Sequence, residues 1–247
     1  METGRKLFVA IKDAPSKSWV PVGILSFSDG AYKFQYTKGV DKISNFVPFG
    51  RMLDKTKDYF SNELFALFKN RILTPSRSDY EQYLGWLNLE KENADDLSIL
   101  AVSGGERRTD NIEIFPMPIV KDGCYFYDFF SHGVRHMCEG CQTRIEDLKV
   151  GEPLFLCADK QNSFHYEAWM LRTDAPKALV GYLPRFFAHD LTELFKRVAS
   201  PEEIKVSVVQ VNKDAPIQFK LLCRLEAPWP EGFEPFSDEI YQVYTAV

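Results

Sequence analysis

The hydrophobic period of this chain changes along its length, and where it changes constrains the fold more than any single residue. From Lys6 the pattern alternates. Leu7, Val9 and Ile11 share one face, and Trp19, Pro21, Gly23 and Leu25 repeat the two-residue spacing in the next run. A third run, Ala31 to Thr37, sets Tyr32, Phe34 and Tyr36 against Lys33 and Gln35. Between the second and third runs, Ser28-Asp29-Gly30 offers residues that tolerate the positive φ of a tight hairpin turn. Three antiparallel strands are therefore expected to open the chain. After Arg51 the spacing becomes helical. Ser61 is placed to cap a helix that buries Leu64, Leu67 and Phe68, with Ile72 beyond. A second helix is expected from Asp79 through Leu87, and a third from Asp95 to the stop at Ser103-Gly104-Gly105. Thr74-Pro75-Ser76-Arg77-Ser78 separates the first two, since proline removes a donor and disfavours helix before it. Ile112, Ile114 and Phe115 then suggest a closing strand.

Pro116-Met117-Pro118 and Lys121-Asp122-Gly123 mark a boundary, dividing the chain into residues 1–120 and 121–247. Beyond it short strands return at 125–130, 154–156, 168–172, 179–181, 206–211 and 219–225. A helix follows Pro184 and buries Phe187, Leu191, Leu194 and Val198. Trp229-Pro230, Phe233 and Phe236 form an acidic, aromatic tail expected to strap across this second domain. The fold class is α+β: a small antiparallel sheet with helices, then a mostly β, barrel-like domain with one packed helix.

Composition narrows the function. With 45% apolar and 26% charged residues, the 247-residue chain is neither disordered nor repetitive. Its net charge of −5 argues against a protein that coats DNA by charge alone. Residues 1–120 hold 16 basic and 16 acidic side chains. The excess acid lies in the closing segment (Glu226, Glu231, Glu234, Asp238, Glu239), which has no Lys or Arg. Any contact with nucleic acid must be local. No run approaches the roughly 18 apolar residues of a membrane span. Met1-Glu2-Thr3-Gly4-Arg5-Lys6 leads straight into a strand, and the five cysteines are odd in number, so a cytoplasmic protein with reduced thiols is expected. His132, His136, Cys138 and Cys141 have zinc-compatible chemistry. However, all four fall in one short stretch without a second Cys pair elsewhere, so no metal and no cofactor are expected. Ser103-Gly104-Gly105-Glu106-Arg107 lacks the spacing and lysine of a phosphate-binding loop. Neither a kinase catalytic loop nor a Gly-x-Ser-x-Gly elbow occurs. The chain is expected not to be an enzyme.

Three motifs in the second domain carry a family resemblance. They are Val150-Gly151-Glu152-Pro153-Leu154-Phe155-Leu156, Asn162-Ser163-Phe164-His165-Tyr166-Glu167-Ala168 and Val180-Gly181-Tyr182-Leu183-Pro184-Arg185, preceded by Gly133-Val134-Arg135-His136. Over about residues 125–225 the sequence resembles the HIRAN domain. That resemblance implies an OB-like β-barrel that captures single-stranded DNA at a free 3′ end. It places Arg135, His136, Phe164, His165, Tyr182 and Arg185 at the nucleic-acid face. Two departures stand in the loop, Ser163 for a proline and His165 for the aspartate that accepts from a terminal hydroxyl. A neutral imidazole also accepts, in a pH-dependent way.

The first domain resembles the amino-terminal subdomain of HipA-type kinases over about residues 7–116. The resemblance rests on Gly23-x-Leu25, Tyr32-x-Phe34-x-Tyr36, Leu67-Phe68-Lys69-Asn70-Arg71-Ile72-Leu73, Leu100-Ala101-x-Ser103-Gly104-Gly105 and Asp110-x-Ile112-Glu113-x-Phe115-Pro116. It implies that Leu73, Thr74, Pro75, Ser76, Arg77 and Ser78 face a separately encoded HipA-like serine/threonine kinase. Together the two resemblances suggest a non-catalytic, antitoxin-like bacterial accessory protein that binds such a kinase and nucleic acid. The alternative is a stand-alone sensor of single-stranded DNA 3′ ends in repair or phage defence.

Overall fold

The computed structural model describes residues 6–15, 18–107, 109–163 and 165–245. It divides into two compact units, Met1–Met117 with Phe236–Val247, and Pro118–Pro235. In the first unit β1 (Lys6–Lys12), β2 (Trp19–Ser28), β3 (Ala31–Tyr36), β4 (Tyr59–Ser61) and β5 (Ile112–Pro116) form one sheet in the order β4-β3-β2-β1-β5. Every neighbouring pair is antiparallel. The turn between β2 and β3 has positive φ at both Asp29 and Gly30, the primed geometry that suits strand twist. Gly23 is needed where it stands, because a Cβ there would collide with the Phe34 ring on β3.

Three helices complete this unit: α1 (Ala66–Lys69), α2 (Tyr80–Trp86) and α3 (Asp96–Ser103). α3 starts as the sequence suggests, with the Asp95 carboxylate accepting from the Ser98 N–H at 2.7 Å, and ends at left-handed Gly104. α1 is a single turn rather than the longer helix expected from Ser61. Ser61 ends β4, and its hydroxyl engages the Glu63 backbone instead of capping, while Phe65 enters the turn uncapped. The core is built from Leu7, Val9, Val22, Leu25, Phe34, Tyr36, Phe68, Leu97, Leu100 and Ile114. Buried Arg71 ties the end of α1 to the approach to β5, donating to both carboxylate oxygens of Asp110 and to the Gly105 carbonyl.

The closing residues divide. Trp229 and Phe233 pack on Tyr125 in the second unit, as a strap would. From Phe236 onward the chain belongs to the first unit. Phe236 and Tyr241 meet Phe8 at 5.3 and 5.1 Å between ring centroids, and Val243 bridges Thr37. This corrects the expectation of a second domain running to 247. It also explains why β1 is apolar on both faces: Leu7 and Val9 face the core, and Phe8 faces the returning segment.

In the second unit β6 (Ile119–Lys121), β7 (Cys124–Phe130), β8 (Pro153–Ala158), β9 (Trp169–Arg172), β10 (Leu179–Tyr182), β11 (Lys205–Val211) and β12 (Leu221–Pro228) form an antiparallel sheet in the order β10-β9-β8-β11-β12-β7-β6. Lys121-Asp122-Gly123 is the β6–β7 hairpin turn, with positive φ at Asp122 and Gly123, and lies inside this unit. Two helices accompany the sheet, α4 (Glu139–Asp147) and α5 (Ala188–Arg197). α5 is the helix expected after Pro184. Its entry residue Phe187 packs on Tyr127 at 4.2 Å, and Leu191 and Leu194 are fully buried.

Among the described residues no closed barrel is seen. β7 pairs with β12 along its length and with β6 only at Cys124–Phe126, and no ladder joins Tyr127–Phe130 to β10. One bridge pair past the end of β7, His132 with Tyr182, is the point of approach between the two. Among the described residues no helix is long and apolar enough to cross a membrane.

Candidate nucleic-acid interface

Two chain segments cross where Ser131–Gly133 leaves β7 and Gly181–Tyr182 ends β10. His132 and Tyr182 exchange both backbone hydrogen bonds, each 2.9 Å. The Ser131 hydroxyl donates to the Val180 carbonyl at 2.8 Å. Glycine is required at both flanks. A Cβ on Gly181 would overlap the Ser131 hydroxyl and lie 2.6 Å from the His132 carbonyl, and one on Gly133 would sit 3.1 Å from the Tyr182 ring. The crossing therefore fixes the Tyr182 ring in one place.

The loop between β8 and β9 is folded by side chains. Asp159 Oδ2 accepts from the Tyr182 hydroxyl at 3.0 Å and from Asn162 Nδ2 at 3.1 Å. Asn162 Oδ1 in turn accepts from the His165 backbone N–H at 3.0 Å. This is Asx chemistry, in which short polar side chains replace backbone partners. The loop's carboxylate is Asp159, six residues before His165. Burial and its bond to Asp159 raise the Tyr182 pKa.

Arg185 joins this group from the single turn Arg185–Phe187 that follows Pro184. Burial, then the Arg185 charge, lowers His132 to about 4 and also depresses His165, with Glu167 pulling the latter the other way. His165 Nδ1 is enclosed without a hydrogen-bond partner, a position that suits a neutral ring. Both imidazoles are therefore uncharged at neutral pH. Arg185 is half-buried, and among the described residues no acceptor is bonded to its guanidinium. An arginine so placed can bind a phosphate through two donors at once.

The structure thus sets Arg185 within electrostatic reach of His132 and His165, and joins Tyr182, Asp159, Asn162 and the His165 backbone in one hydrogen-bonded group. Arg135 and His136 are exposed on a separate turn, Val134–His136, which packs against β10. There Arg135 Nε donates to His136 Nε2 at 3.1 Å, so the guanidinium is oriented by its neighbour. Phe164 lies outside the described residues. Sequence reasoning missed Asp159, whose signal was the Asp-x-x-Asn spacing of an Asx turn, and gave His132 only a metal-binding role. No group of three or more His, Cys, Asp or Glu among the described residues could hold a metal ion.

In the first unit Thr74, Pro75, Ser76, Arg77 and Ser78 are exposed and Leu73 is half-buried. The segment is a closed turn, with the Arg77 N–H donating to the Thr74 carbonyl at 3.1 Å. Arg77 forks onto Asp79 with two bonds of 2.8 Å, which lowers the Asp79 pKa and occupies the charge that an acidic partner would use. Compared with models of known protein families, with curated proteins and with solved structures, the chain matches none. The HIRAN and HipA resemblances rest on their quoted motifs.

Proposed function

We propose that the second unit binds the end of a single-stranded DNA without catalysing a reaction on it. The observation that carries this reading is Arg185, a half-buried guanidinium with no bonded acceptor among the described residues, whose charge is felt at both His132 and His165. Arg185 would take the last internucleotide phosphate, and Tyr182 and His136 would offer ring surfaces to bases. Stacking contributes roughly 1–3 kcal/mol per base, and a charged hydrogen bond roughly 1.5–3 kcal/mol. Neutral His165 would stand near a terminal hydroxyl. The net charge of −5 supports a short, local contact rather than a long electrostatic track.

The test is fluorescence anisotropy with a labelled oligonucleotide bearing a free 3′ end. Wild type should bind at micromolar Kd or tighter, and Arg185→Ala should weaken binding about tenfold or more. Superimposable titrations for the two proteins would overturn the reading.

A second reading concerns the first unit, which would dock a HipA-like kinase and make the chain an antitoxin-like accessory protein. Five consecutive exposed residues, Thr74–Ser78, on a hydrogen-bonded turn favour it. A pull-down with a separately expressed HipA-like kinase tests it, and absence of the kinase from the eluate refutes it.

A further inference from the structure

Cys138-Glu139-Gly140-Cys141 spans the start of α4, with Cys138 as the N-cap residue. The two sulfurs are 3.1 Å apart. A disulfide needs about 2.05 Å, so a closing movement of about 1 Å, within reach of side-chain rotation, would join them. The two thiols are not equivalent. Cys138 is exposed, whereas Cys141 is half-buried. We propose that Cys138 and Cys141 form a reversible dithiol–disulfide couple that exchanges with low-molecular-weight disulfides of the glutathione class.

The asymmetry assigns the roles. The Cys138 sulfur lies against the thiol of Cys141 and close to the amides of Cys141 and Gly140 in the first turn of α4, although the Cys141 N–H also donates to the Cys138 carbonyl at 3.0 Å. These donors favour the thiolate and lower the Cys138 pKa. Cys141, donor to that thiolate, is pushed the other way by the same bond and by burial. Cys138 is therefore the attacking sulfur and Cys141 the resolving one. In the first step the Cys138 thiolate attacks one sulfur of the disulfide RSSR. The S–S bond breaks, and one RS⁻ leaves and takes a proton from water. In the second step Cys141 gives up its proton, its sulfur attacks Cys138 Sγ in the mixed disulfide, and the second RS⁻ leaves and is protonated. The two thiols lose two electrons and two protons, and RSSR becomes two RSH. A dithiol reductant reverses the sequence.

The remaining cysteines serve as internal references. Cys124 and Cys157 are half-buried, and Cys223 is fully buried with its thiol pKa raised by burial and by Asp128. None of them has a second cysteine bonded to it among the described residues.

The experiment uses the full chain, reduced, desalted and incubated with excess oxidised glutathione. After an acid quench, free thiols are alkylated with a maleimide and counted by intact mass, and linked peptides are mapped. The expected result is loss of two of the five reactive thiols, no retained glutathione, and a link between Cys138 and Cys141. Cys141→Ser should trap one glutathione on Cys138, and Cys138→Ser should leave Cys141 unmodified at the same dose. Wild type that keeps all five thiols, holds glutathione at Cys138, or links another pair overturns the proposal.

Discussion

Lowering the pH should destabilise the second unit through His132 before its carboxylates dominate. The folded imidazole has a pKa of about 4 against an ordinary 6.5, because burial and the nearby Arg185 charge oppose protonation. Between those values the unfolded chain binds a proton that the folded chain refuses. Stability is therefore fully present above 6.5 and is lost as pH falls from 6.5 towards 4. At about 1.4 kcal/mol per pKa unit, the gap has a ceiling of about 3 kcal/mol. The residue keeps some exposed surface, and hydration of the cation brings this to about 2 kcal/mol. His165 is shifted in the same direction and adds to the effect. A chain of two units need not unfold in one step, so the readout must belong to the second unit alone. Cys223, fully buried in β12, provides it. Pulse-labelling of this thiol with dithiodipyridine, which stays reactive in acid, across a urea series gives the stability of the unit at each pH. Between pH 7 and 4.5 wild type should lose about 2 kcal/mol more than His132→Gln. Arg185→Gln, by removing the repelling charge, should shrink the loss. Parallel pH profiles for wild type and His132→Gln would show that the imidazole is not held neutral by the fold.

Two other perturbations test the packing. Gly181→Ala forces a side chain into a backbone with φ of +121° and into the His132 carbonyl, so the second unit should lose about 3 kcal/mol or more in the same Cys223 assay. Gly151→Ala, where nothing lies within 4 Å, should cost only the left-handed penalty of about 1 kcal/mol, and equal costs would refute the argument. Phe236→Ala removes the ring that packs on Phe8 and Phe115, and should destabilise the first unit by about 3 kcal/mol. Hydrogen exchange in β1 and β5 should speed up while that of β12 does not change, and uniform acceleration would contradict the assignment of Phe236 to the first unit.

Local chemistry was legible where it acts over a few residues. Asp29-Gly30 fixes a hairpin, Asp95 caps α3, and the four-three-four spacing of Phe187, Leu191, Leu194 and Val198 marks α5. What escaped depends on distant partners. β4 is three residues long and exists through its pairing with β3. α4 buries only Ile145 within its length, too little apolar surface for a periodic signal. Ser61 satisfies the capping pattern, but its hydroxyl bonds locally and its backbone pairs with Tyr32, so pairing wins over the cap. The barrel expectation failed on topology. Strand positions do not reveal that β7 and β10 would meet at one bridge past the end of β7 rather than along a ladder. At the candidate interface the sequence singled out Tyr182, Arg185 and His165 through a resemblance, whereas Asp159 became visible only once β10 brought a phenol to it.

The return of Phe236–Val247 to the first unit bears on how the chain is synthesised. A ribosome that has delivered residues up to 117 has not delivered the whole first unit, because the ring against Phe8 and the bridge to Thr37 arrive only with Phe236 and Val243. Until then the Phe8 side of β1 lacks its cover, while the intervening 118–235 stretch, contiguous in the chain, can fold on emergence. A folded insert also shortens the effective loop that the last segment must close. Of these two units, the one begun earlier is thus the one completed later.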